Sequence, residues 1–411
     1  MKNSTEESNA KKLIWSNGLQ NVGDQIVAAK TVLPWLLHAA GAPGFLIALL
    51  VPIREAGSML PQAAITGWVL RQTSRSKVWV IGSNGQFLSA LGIGIVALFL
   101  RGWALGIAVV LLLGALSLFR SMCSIASKDV QGQVISKGKR GLVTGRATVI
   151  GGVMGLVAGL FIALFLGADS PAWVLAAVIM ASSFSWFFAS LIFARIKVAP
   201  TNTQRSAPAD NPWIRRCISA MRTDIAFRRF VLVRSMMLVT ALSTAFIVAL
   251  AAESGHSIGT LGFFLIASGL ASMVGGRISG IWSDKSSKNV MAGGALFGSI
   301  VLVLVVLSSQ FAPTALNAVV FPVSFFLITL AHTAIRVARK TYVMDMAEGD
   351  LRTRYVADAN TLMGAVLLIV GALSGIVSMF GNEAALIFLA IIGLAGTFSA
   401  KQLKEVSAGN L

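Results

Sequence analysis

The sequence predicts an all-α membrane protein of twelve transmembrane helices, and three observations lead there. Of its 411 residues 56% are hydrophobic and 12% charged, whereas a soluble domain carries roughly 25% charged residues. Apolar windows of the length a bilayer requires, about 20 residues, recur along the whole chain. The basic residues gather between alternate windows instead of along one face. Forty glycines against ten prolines add the small residues that let membrane helices approach closely.

The windows fall at residues 14–38, 44–70, 78–100, 103–126, 142–167 and 171–195, so six spans return the chain to its starting side. A polar, basic stretch with three prolines occupies 197–228. Six further windows follow, at 230–252, 257–282, 289–310, 313–337, 355–379 and 383–400. The expected division is therefore an N-terminal six-helix bundle over 1–196, a cytoplasmic central loop over 197–228 and a C-terminal six-helix bundle over 229–411.

Charge sets the orientation, because short loops rich in Lys and Arg stay cytoplasmic. Most of the 34 basic residues sit in the segments that share a side with the two termini, and the opposite loops keep only Arg101. Both termini are thus expected inside, with the protein in the inner membrane. The formal charge of +18 does not imply nucleic acid, which needs basic residues gathered on one soluble face. The N-terminus lacks the basic start, short apolar stretch and cleavage site of a secretory signal, so the first helix is expected to be retained.

The two cysteines, Cys123 and Cys217, have no metal-ligand spacing around them and read as free thiols. His38, His256 and His332 lie in separate segments. No nucleophile elbow, phosphate loop or dinucleotide fingerprint stands in a strand–helix context, and the glycine run from Gly151 to Gly159 reads as helix packing. An enzyme is not expected, and neither is a metal or cofactor.

A shift of about 213 positions lays one half on the other, as a parallel-repeat transporter would. Gly67 then meets Gly280, Arg71 meets Asp284, Ser74 meets Ser287 and Arg75 meets Lys288. Arg120 meets His332, Lys128 meets Lys340 and Gly152 meets Gly364. The repeat implies two bundles related by pseudo-two-fold symmetry.

With those residues in view, the chain resembles the major facilitator superfamily. Its signature loop, a glycine, an acid four residues on and then basic residues, is matched by Gly280, Asp284, Lys285 and Lys288, with Ser287 in place of the second glycine. In the first-half copy Arg71 replaces the acid. Arg120 matches the arginine of the fourth span, and the glycine–proline of the antiporter signature is absent from the fifth. The resemblance implies a transporter that alternates access by rocking of two bundles, and it leaves the solute open.

Charged side chains deep in a span are costly and invite a functional reading. Arg120, Arg146, Arg234 and Arg277 lie close enough to a cytoplasmic helix end for their stems to reach the interface. Asp24, Lys30, Arg54 and Glu55 are deeper. Asn17, Gln20, Asn21, Asp24 and Thr31 share one helical face, and Arg54, Glu55, Ser58 and Gln62 extend the polar theme in the second span. The substrate and proton pathway is therefore expected at Gln20, Asn21, Asp24, Lys30, Arg54, Glu55, Gln62 and Arg120. Protons are the expected coupling ion, through Asp24 or Glu55. Mutual neutralisation within a packed bundle is the structural alternative.

In the superfamily the loop acid bridges to the eleventh span, and here Asp358 lies near that span's cytoplasmic end. Two symmetry-related bridges are expected to close the cytoplasmic gate, Arg71 to Asp358 and Asp284 to Arg146. The expected protein is a monomeric secondary transporter of a small-molecule solute in the lipid bilayer. A membrane assembly factor that kept the fold and lost transport is the rival reading.

Overall fold

The computed structural model describes residues 2–27, 32–165, 172–198, 212–253 and 260–407. Among them there is no strand. The fifteen α-helices are α1 (Lys2–Ile26), α2 (Val32–Ala39), α3 (Gly44–Met59), α4 (Gln62–Arg71), α5 (Arg75–Phe99), α6 (Gly102–Val134), α7 (Arg140–Phe165), α8 (Ala172–Ala194), α9 (Trp213–Thr223), α10 (Ile225–Met236), α11 (Val239–Glu253), α12 (Thr260–Phe311), α13 (Thr314–Met346), α14 (Gly349–Val377) and α15 (Asn382–Lys401). Among the described residues, seven helices are long and apolar enough to cross a membrane.

Several apolar windows are not single helices. The second is split between α3 and α4 at Leu60–Pro61, where Pro61 has no N–H to give and its ring opposes a continuous helix. The hydroxyl of Thr361 makes up for the break: it donates towards the carbonyls of Leu60 at 3.0 Å and Met59 at 3.3 Å, and accepts from the Ala63 N–H at 2.8 Å. The seventh window is likewise two helices, α10 and α11. The eighth and ninth run together as α12, which departs from helical geometry at Ser286.

The chain gathers into two compact units. One consists of Met1–Ser136, Leu164–Ile218 and Ala347–Ala365, the other of Lys137–Ala163, Ser219–Met346 and Val366–Leu411. This differs from a single cut at the central loop, because most of α7 packs with the later helices and the start of α14 packs with the earlier ones. The central segment is also not loop throughout, since α9 forms within it.

In the first unit Trp79 of α5 stacks on Phe193 of α8 with ring centroids 4.0 Å apart, and the Ser83 hydroxyl donates to the Trp186 carbonyl at 2.7 Å. In the second unit Val239, Ile247, Leu302, Val305, Phe321, Ile328, Leu386 and Leu389 form a buried cluster. There α7 and α12 approach backbone to backbone: a Cβ on Gly145 would overlap the carbonyl oxygen of Gly276. Gly152, from the glycine run, meets the backbone of Met273 in the same way. Outward-facing Leu111, Phe188, Leu304, Ile391 and Phe398 are largely exposed, the reverse of a soluble surface and what a hydrocarbon solvent permits.

Candidate functional site

Three helices of the first unit bring the deep charges together. Asp24 lies in the last turn of α1. One carboxylate oxygen accepts from the Arg54 guanidinium of α3, and the other from Arg120 of α6 at 2.8 Å. All three side chains are mostly buried but retain some access, with 18% of Asp24 exposed. Arg120 therefore does not stretch to the interface. Its stem reaches inward to the acid, since a buried carboxylate holds an ion better than the helix end does.

The polar face of α1 continues into hydrogen bonds. Asn17 accepts from Ser127 of α6 at 2.8 Å, and Gln20 is buried beside Cys123. Asn21 and Glu55 are half-buried on α1 and α3. Gln62 is buried at the start of α4, where its side-chain oxygen accepts from Asn360 of α14 at 2.6 Å. Lys30 lies outside the described residues.

In this structure Asp358 and Asp284, expected at the gate, have other partners. Asp358 is held by Arg216 of α9, with Nε on one oxygen at 3.1 Å and a terminal nitrogen on the other at 2.7 Å. The same terminal nitrogen donates to the Ala63 carbonyl at 2.9 Å, just after the helix break. Arg71 is exposed at the end of α4. The reason is that α9 packs here and its guanidinium takes the acid.

Asp284 does meet the start of α7, but through the backbone. Its two oxygens accept from the N–H groups of Gly141 at 2.7 Å and Leu142 at 2.8 Å, capping the positive end of that helix. Arg146, one turn further on, is exposed.

Two further groups of ion pairs, around Arg75 and around Arg140, were not anticipated. Arg75, fully buried at the start of α5, donates to Asp129 of α6 at 3.2 Å and to Asp350 of α14 at 3.1 Å. Arg140, at the start of α7, donates to Asp345 of α13 at 2.6 Å and to the Met344 carbonyl at 3.1 Å. The available signal was the scarcity of acids, 16 in the whole chain: an acid set among many bases at a helix end has a partner within reach.

Both cysteines are buried free thiols. Cys217 follows Arg216 on α9, and burial, reinforced by the neighbouring Asp358 charge, pushes its thiol up to about 12.

Comparison with solved structures decides the fold. The major facilitator superfamily proton:xylose symporter XylE, bound to 6-bromo-6-deoxy-D-glucose, superposes with a TM-score of 0.75 over 100% of this chain and 98% of its own, at 13% identity. The chain has the major facilitator superfamily fold. The E. coli fucose:proton symporter FucP gives a TM-score of 0.74, covering 97% of this chain and 98% of its own at 13% identity. A bacterial homologue of the iron transporter ferroportin, in an outward-facing state, gives 0.73 over 96% and 99% at 15% identity. No protein-family model and no curated protein matches the sequence. Within this fold, the Asp24 cluster draws on the first, second and fourth apolar windows.

Proposed function

We propose that the chain is a secondary active transporter that moves a small polar solute across the inner membrane by alternating access. The observation that carries this is the Asp24 carboxylate shared by Arg54 and Arg120 inside a superfamily fold whose solved members are transporters. A charge cluster at membrane depth is costly, and it is retained where ions or polar solutes must pass. Protonation of Asp24 would release both guanidinia, so proton movement and solute binding can be linked at one group. Glu55 is the second carboxylate at that depth.

Twelve spans account for the seven long helices. Windows one, two and seven are each divided into shorter helices, windows eight and nine are joined in α12, and window five falls on α7, which runs up to residues outside the described set. The repeat has support from the breaks themselves: α1 ends at Ile26 and α10 ends at Met236, close to the shift that aligns Asp24 with Met237. The termini are assigned to the cytoplasm from the basic loops, and the halves 1–196 and 229–411 to the two moving bundles of a monomer.

Reconstitution into proteoliposomes tests the reading. Neutral sugars and organic anions, the classes carried by structural neighbours, are screened first for saturable thermal stabilisation of the purified protein at acidic and alkaline pH. A stabilising solute should then show saturable, gradient-driven uptake. Absence of counterflow for every stabilising solute would overturn the transporter reading.

A further inference from the structure

The face of α9 that points away from Arg216 has no use in the site just described. Ile214 and Ile218 are exposed there, by 51% and 46%, and Trp213 is exposed at the N-terminal end of the helix. Successive residues turn by 100 degrees, so Ile214 and Ile218 lie on one side, Arg215 beyond them, and Arg216 and Cys217 towards the protein. The depth of the helix is fixed by its bonds. Arg216 reaches Asp358, three residues inside the start of one apolar window, and Ala63, seven residues inside the end of another, so its side chain reaches in by about one to two helical turns from the membrane surface. On α4, Trp68 and Arg71 are exposed as well.

We infer that α9 is a membrane-surface helix that docks onto anionic phospholipid headgroups on the side of the basic loops. Ile214 and Ile218 enter the acyl boundary, Trp213 and Trp68 sit at headgroup level, and Arg215 and Arg71 meet the phosphates. Apolar residues beside exposed arginines on a short helix are the composition of an interfacial element, and tryptophan at that level is the usual anchor. The occupant is a lipid and not a protein because the helix already lies at the bilayer surface, where anionic headgroups complement its arginines. Docking has a consequence for the clasp: lipid holds α9 from outside while Arg216 holds Asp358 from inside. Anionic lipid therefore favours the closed clasp. This reading needs the chain to be membrane-embedded and does not depend on transport.

The test uses the full chain in nanodiscs of phosphatidylcholine alone or with about a third phosphatidylglycerol. With Cys123→Ala in place, maleimide modification of Cys217 reports opening of α9. A single charged headgroup contact is worth about a fivefold change in equilibrium, so modification should slow about fivefold or more when phosphatidylglycerol is present. Arg71→Gln with Arg215→Gln, both at exposed positions, should abolish that slowing and leave the phosphatidylcholine rate unchanged. A second reporter, a polarity-sensitive fluorophore on Ile218→Cys with both native cysteines replaced, should shift to the blue and lose iodide quenching only in the anionic discs. Equal modification rates in both lipids, or a fluorophore that stays in water in both, would overturn the inference. Protection already complete in detergent, which would mean protein covering the face, would overturn it too.

Discussion

Two nitrogens of the Arg216 guanidinium hold both oxygens of Asp358, at 3.1 Å and 2.7 Å, and one of them also donates to the Ala63 carbonyl at 2.9 Å. One side chain of α9 thus ties the start of α14 to the break between α3 and α4. Because Asp358 is almost fully buried, removing its partner leaves a charge without compensation.

Arg216→Gln should lower the stability of the purified protein by on the order of 2 to 3 kcal/mol, below the 3 to 5 of a fully buried pair because Arg216 keeps partial solvent access. Asp358→Asn should cost less, since the amide still accepts from the guanidinium. Thermal melts of the two variants check the order, and equal stability of Arg216→Gln and the parent chain would contradict the clasp.

The thiol of Cys217 gives a pH-resolved view of the same place. With its proton held up to about 12, the thiolate fraction is far below that of a free cysteine, which titrates near about 8.5. The logarithm of the alkylation rate should keep rising linearly with pH beyond 9, where a free thiol has levelled off. Loss of the Arg216 charge alone would push the thiol further up, so if Arg216→Gln releases α9 the loss of burial, the larger cause, should raise the rate at neutral pH and bring the curve towards the free-thiol value. A plateau near 8.5 in the parent chain would show that the residue is not buried as described.

Glycine substitutions separate packing from helix propensity. Gly145→Ala forces α7 away from the Gly276 carbonyl on α12, a backbone clash no side chain can relieve, and should destabilise by about 1 to 3 kcal/mol. Gly114 on α6 has open space where its Cβ would be, so Gly114→Ala should be neutral or stabilising by up to about 1 kcal/mol. Melting both variants in one detergent gives the comparison, and equal effects would refute the close α7–α12 contact.

Helices were legible because apolar windows and basic loops need no tertiary knowledge. The juxtaposition of Asp24 with Arg54 was legible too, since both are charges deep in apolar windows and share their helices with polar residues. Arg120 was named, but its inward reach was not, because a long stem near a helix end has two ways to satisfy its charge and only the packing of α6 against α3 selects one. The Arg216 partner of Asp358 was not legible for a different reason: it lies on a helix 142 residues away, and the composition of that segment reads as loop. Its alternation of Ile214, Ile218 and Met221 with arginines carried the helix, and the three prolines before it hid the pattern.

Under the proposed function Asp24 couples solute movement to protons, with Arg54 and Arg120 as the groups its protonation releases. The direct measurement is uptake into proteoliposomes by Asp24→Asn, driven by a pH gradient in one set and by solute counterflow in the other. Gradient-driven accumulation should be lost while counterflow continues at a comparable rate, since the amide mimics the protonated acid. Accumulation at the parent rate in Asp24→Asn would contradict it, and loss confined to Glu55→Gln would assign the coupling to Glu55 instead.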